Sequence, residues 1–117
     1  MTQLQQQQCI LCRPDSDPVV GDALDRLMLD LEGWQLETLD SVNQLEKLFS
    51  FSDYAQSMAF TQRVGELAET EDHHPAILTE WGKVRVTWWT HSIKGLHIND
   101  FICAAKTDQL AISKDDQ

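Results

Sequence analysis

The sequence is short of basic side chains. Nine Lys and Arg stand against nineteen Asp and Glu, a formal net charge of −10. Gripping a phosphate backbone takes a basic face, so the balance argues against direct nucleic-acid contact, and anionic membrane surfaces are disfavoured for the same reason. Long apolar runs are missing too: nothing approaches the ~20 residues of a membrane span. The Gln-rich start, Met1–Gln8, lacks the basic and then apolar stretch of a secretory signal. The chain is therefore expected in the cytoplasm. Cysteine is scarce, and its count of three is odd, so reduced thiols are expected rather than disulfides. Cys9-Ile-Leu-Cys12 is a lone CxxC. A structural zinc takes four ligands and no second CxxC supplies them, and no strand–helix–strand context marks a redox motif. It reads as an ordinary pair of thiols in an N-terminal arm, residues 1–18, that Pro14 and Pro18 interrupt.

What remains is enough for one core: 117 residues, 42% of them hydrophobic. Val20, Leu24, Leu27, Met28 and Leu31 form one stripe, which predicts an amphipathic helix over residues 19–32 with Gly33 ending it. Trp34–Thr38 alternates as a strand, Asp40–Asn43 reads as a turn, and Leu45–Phe51 as a second strand. Ser52 or Asp53 caps a helix from about Tyr54 to Thr70. Ala76–Trp81 and Val84–Trp89 are strands about Gly82-Lys83, and a last helix runs from about Ile98 to Ile112. The tail, residues 113–117, is polar. The order α-β-β-α-β-β-α predicts an α+β two-layer sandwich: a four-stranded antiparallel sheet with the helices on one face, over residues 19–112.

Three of the four histidines fall in two places, Glu69-Thr-Glu-Asp-His-His-Pro75 and Thr90-His91. The residues alone allow three uses. One is acid/base chemistry by imidazoles oriented by carboxylates. A second is a metal site on His73, His74, His91 and a carboxylate, although no HExxH or Cys/His spacing supports it. The third is structural, a His-Pro turn and a hydrogen-bonded strand-end histidine. If the second helix persisted one turn further, Glu69 and His73 would stack at i, i+4, which makes Glu69 the carboxylate expected beside His73.

Glu69-x3-His73-His74-Pro75, then Trp81, Thr90-His91, Gly95-Leu96 and Asp100 resembles the signature of the pterin-4a-carbinolamine dehydratases. Gly33-Trp34, Phe49-Ser50-Phe51 and Lys83-Val84-x-Val86 extend the resemblance over most of residues 19–112. It implies a hydro-lyase that dehydrates 4a-hydroxytetrahydrobiopterin to the quinonoid dihydropterin and water. Such an enzyme recycles the pterin used by aromatic amino acid hydroxylases, phenylalanine hydroxylase above all, and needs neither metal nor cofactor, the pterin being its substrate. By the resemblance His73, His74 and His91 are catalytic, His73 and His91 moving protons and His74 positioning substrate. Glu69 and Asp100 orient or charge the imidazoles, Asp72 adds to the field, and Trp81 walls the pterin. The resemblance also implies self-association through sheet edges into dimers or tetramers. The alternatives it carries are a non-catalytic role as a dimerisation partner and handling of another pterin such as molybdopterin. Two departures stand out. His97 occupies a position where the family commonly has Ser or Thr, so Asn99 is expected to cap the last helix. Trp88-Trp89 replaces smaller residues and is expected to reshape the pocket wall.

Overall fold

The computed structural model describes Leu4 and residues 18–115. Its order is α1 (Gly21–Leu29), β1 (Gln35–Leu39), β2 (Val42–Ser50), α2 (Tyr54–Glu71), β3 (Ala76–Glu80), β4 (Lys83–Trp88), a 3₁₀ turn (His91–Ile93) and α3 (Ile98–Asp115). The strands form one antiparallel sheet in the order β1-β2-β4-β3. The expected α-β-β-α-β-β-α sandwich is thus the observed one. The Cys9–Cys12 motif and most of the arm lie outside the described residues; Leu4, within that arm, is buried with the core.

Register assigns the two faces of the sheet. Leu45 pairs with Trp88, Lys47 with Val86 and Phe49 with Val84, while Ile77 opposes Val86 from the other side. Because side chains alternate along a strand, these residues share the face that α2 and α3 cover. Leu45, Val84, Val86 and Trp88 there are fully buried. The opposite face carries Glu46, Leu48, Leu78 and Arg85, with Leu48 and Leu78 exposed on either side of Arg85. Phe60 of α2 fills the centre, 4.8 Å from Phe49 and 5.0 Å from Phe51 between ring centroids. α3 is buried at every residue from Asn99 to Ala105. Lys47 ties it to the sheet through Asp108 at 2.9 Å, and Asp108 also accepts the Trp34 indole N–H at 3.0 Å.

Boundaries differ from expectation where turn chemistry intervenes. α1 stops at Leu29, not residue 32, because the Asp30 and Leu31 N–H groups bond back to Leu27 and Met28, a tighter i→i−3 spacing. That brings Leu31 and Trp34 into the core. Gly33, at φ +87°, serves the following turn rather than the helix end; a Cβ there would sit 3.1 Å from the Lys47 side chain. The β1–β2 turn needs two residues, Asp40 and Ser41, at φ 52° and 67°. Positive φ at both positions is the type I′ geometry that matches strand twist, so β2 begins at Val42 instead of Leu45. No helix among the described residues is long and apolar enough to cross a membrane.

Candidate active site

The site is built where α2 ends, β4 ends and α3 begins. Asp53 caps the start of α2 by accepting the Gln56 N–H at 2.8 Å. Its far end closes on Asp72, in the left-handed conformation at φ 52°, ψ 43°. The His73 N–H then returns to the Ala68 carbonyl at 3.1 Å and the Asp72 N–H to Glu69 at 3.4 Å. This is the paired bonding of a Schellman motif. It ends the helix one residue before the histidines, so the predicted continuation that would have stacked Glu69 on His73 does not occur.

The carboxylate beside His73 is accordingly not the expected Glu69. His73 Nε2 lies 2.6 Å from Asp100 Oδ1, and His74 Nε2 lies 2.6 Å from Glu69 Oε2. The two pairs differ in setting. Asp100 is completely buried and the His73 side chain is 11% exposed, whereas His74 and Glu69 are 56% and 78% exposed. The first pair is shielded from solvent, and the second is screened.

Asp100 accepts from three groups. Besides His73, the Thr90 hydroxyl donates to Oδ2 at 2.8 Å and the His97 backbone N–H at 2.9 Å. An ionised carboxylate only accepts, so the proton on His73 sits on Nε2 and Nδ1 is left to accept or give one. The ring is further fixed by Trp88, stacked at 5.7 Å with 6° between planes. Trp88 is itself buried, with its indole N–H on Thr107 Oγ1 at 3.1 Å. It is therefore a floor under His73 rather than a reshaped pocket wall.

His97, not Asn99, caps α3. Its Nδ1 accepts the Asn99 N–H at 3.1 Å while Asp100, three residues on, accepts the His97 N–H. This is the reciprocal bonding of a capping box, with an imidazole as the capping acceptor. His97 is 8% exposed. Burial pushes its pKa below the ordinary histidine value; Asp100's charge opposes the shift, His73 adds to it, and a bond with the Asn99 side chain opposes it.

His91 starts the 3₁₀ turn that Thr90 and Gly95 close by bonds of 2.8 and 3.4 Å. Its exposed ring rests on Trp89 at 4.4 Å. Its neighbour Thr90 shares Asp100 with His73. Asp72 is exposed at the α2 terminus. Trp81 is 67% exposed in the β3–β4 turn, a strand's length, about 17 Å, from the His74 end of β3. No group of three or more His, Cys, Asp or Glu side chains among the described residues is arranged to hold a metal ion. A depression of about 340 Å³ between Gly33, Gln35, Glu46, Lys47, Leu48 and Arg85 contains none of the candidate residues. Sequence reasoning missed Thr90 and His97 as members of the site and Trp88 as its floor. The short-range signal for His97 was its place three residues before Asp100, the spacing of a capping box.

Comparison with known proteins bears on the family and the fold. Residues 17–110 match the family model described as pterin 4 alpha carbinolamine dehydratase. Among solved structures, a transcriptional coactivator/pterin dehydratase from Brucella melitensis is similar at a TM-score of 0.73 and 27% identity, over 81% of this chain and 99% of that one. A pterin dehydratase-like protein identified as a RuBisCO assembly factor in the alpha-carboxysome is similar at a TM-score of 0.58 and 27% identity, over 68% of this chain and 90% of that one. With most of its length matched, this chain belongs to the pterin 4 alpha carbinolamine dehydratase family.

Proposed function

We propose that the protein is a hydro-lyase that dehydrates 4a-hydroxytetrahydrobiopterin to the quinonoid dihydropterin. The observation that carries this reading is the buried Asp100, which fixes His73 by its Nε2–H and leaves Nδ1 for proton transfer. The reaction breaks the bond from C4a to its hydroxyl oxygen. A proton goes to that oxygen as it leaves as water, and a ring nitrogen gives one up as the carbon–nitrogen double bond forms. One proton is donated and one taken, so the protein's task is to hold an acid and a base on the substrate. Imidazole suits both roles near neutral pH. His73 and His91 carry the protons in this reading, and His74, on Glu69, positions the ring. Asp100 fixes the His73 tautomer and balances charge when the ring is protonated. Trp81 is exposed in the β3–β4 turn, and its part as a wall for the pterin rests on the resemblance.

The test is decay of the 4a-carbinolamine with His73→Ala and His91→Ala, in chelator. Each variant is expected to lose about 10²–10⁴-fold in rate while remaining folded. Full activity in both would defeat the assignment, and loss of the wild-type rate to chelator would point to a metal. Recycling of the pterin for phenylalanine hydroxylase or a related enzyme, and a cytoplasmic setting, follow from this reading.

A second reading is a protein-binding role, favoured by the assembly-factor neighbour and by the exposed Leu48 and Leu78 on the uncovered sheet face and Tyr54 and Met58 on α2. Substituting those residues should abolish partner binding and spare turnover, whereas His73→Ala should do the reverse.

A further inference from the structure

We propose that His97 is a positioning residue for His73: its neutral imidazole completes the α3 cap that holds Asp100 against His73. As a claim about rate this rests on the dehydratase reading; as a claim about the cap it does not. The geometry links three contacts in series. His97 Nδ1 accepts the Asn99 N–H at 3.1 Å, the His97 N–H binds Asp100 Oδ2 at 2.9 Å, and Asp100 Oδ1 receives His73 Nε2 at 2.6 Å. The helix cap and the fixed histidine therefore depend on one carboxylate.

A serine or threonine hydroxyl would accept the Asn99 N–H at every pH. An imidazole does so only with a lone pair on Nδ1. Protonation puts N–H against N–H, and the cap contact is lost. His97 is 8% exposed and Asp100 is fully buried, so little water is at hand to replace it. The groups facing His97 are Asp100 and Asn99 from α3 and His73 from the α2–β3 connection. Burial and His73 favour the neutral ring, and Asp100 and the Asn99 side chain oppose them, burial being the largest influence. When His73 takes a proton during turnover, its positive charge holds His97 neutral more firmly. The cap is thus steadied when it bears on a charged His73, and gives way when the medium itself is acid.

The experiment compares wild type with His97→Ser, whose hydroxyl caps without titrating, across about pH 8 to about pH 5. In the ¹⁵N-labelled full chain, the Asn99 amide and the His73 Nε2–H resonance report the two ends of the series, and thermal unfolding reports the linkage. A folded-state pKa below the unfolded value means that the unfolded chain binds more protons in the window between them. Wild-type stability should therefore fall as pH drops below about 6.5 towards the lowered value, and that component should be missing in His97→Ser. With it, the Asn99 protection and the His73 Nε2–H signal should be lost in wild type and persist in the variant. The wild-type rate should fall more steeply with acid than the variant's. His97→Ala, lacking an acceptor, should be impaired throughout the range and restored by Ser. Parallel wild-type and His97→Ser profiles for both resonances and for unfolding would overturn the proposal. If the resonances behave as expected but neither protein accelerates carbinolamine loss, the positioning role stands and the dehydratase reading falls.

Discussion

Replacing Asp100 by Asn separates what the carboxylate does for stability from what it does for chemistry. The native group accepts His73 Nε2 at 2.6 Å, the Thr90 hydroxyl at 2.8 Å and the His97 N–H at 2.9 Å. Asparagine is nearly isosteric but has one acceptor oxygen. Set at the Oδ2 position, that oxygen keeps the Thr90 and His97 bonds and turns the amide NH₂ towards His73. Two donors would then face each other at 2.6 Å, so the imidazole must move its proton to Nδ1 and accept through Nε2. All three bonds lose their charge assistance while the cost of burying a charge disappears; the net loss is about 1 kcal/mol, which lowers Tm by about 4 °C for a domain of this size. The catalytic effect is larger. Nδ1 changes from acceptor to donor, and a protonated His73 loses its counter-charge. Losing one positioned proton-transfer group costs about 10²–10⁴ in rate, or about 3–5 kcal/mol in barrier. The expected signature is a rate loss of two decades or more with a small drop in Tm.

Stopped-flow decay of the 4a-carbinolamine and thermal melting of the same samples measure both quantities. Asp100→Ala is the wrong perturbation, since it leaves three buried donors with no acceptor, each worth about 1–3 kcal/mol, and would simply unfold the site. The reasoning is refuted if Asp100→Asn keeps the wild-type kcat/KM while its Tm falls. Asp100 would then be a helix cap and nothing more.

Other substitutions bear on neighbouring parts of the network. Glu69→Gln removes a pair that is 56% and 78% exposed; stability should change by less than about 0.5 kcal/mol, and the rate loss should be smaller than at Asp100 under the same assay. Trp88→Phe keeps an aromatic floor under His73 but removes the indole N–H from the Thr107 hydroxyl, now bonded at 3.1 Å, while that hydroxyl still donates to the Cys103 carbonyl at 2.7 Å; a urea midpoint should report a loss of about 1 kcal/mol. Phe60→Ala empties the fully buried position between Phe49 and Phe51 and should cost about 3–5 kcal/mol in urea unfolding.

Much of the fold was legible because alternation and helical periodicity report which face of an element is buried. Val84, Val86 and Trp88 alternate with Arg85, and the structure buries the first three and exposes Arg85. Errors gathered where a side chain or a φ angle, not hydrophobicity, sets the boundary. The two-residue Asp40-Ser41 turn carries no glycine to announce positive φ. The early end of α1 depends on i→i−3 bonds that leave no mark on composition.

At the site, sequence identified which residue types meet but not which carboxylate holds which imidazole. Spacing favoured Glu69 for His73, because i, i+4 is the nearest helical relation. The left-handed Asp72 breaks that relation one residue too soon. His73 then points inward, under the start of α3, and His74 outward, back along the surface of α2 to Glu69. The partner that matters for His73 stands 27 positions away, so local pattern could not weigh it against Glu69. Burial distinguishes the two pairs after the fact. An imidazole that must hold one tautomer needs an acceptor that does not move and that water does not displace. A carboxylate with two further donors on it, fully buried, meets that need; one 78% exposed on a helix surface does not. The histidine closer in sequence to Glu69 by spacing logic is for this reason the one that Glu69 does not hold.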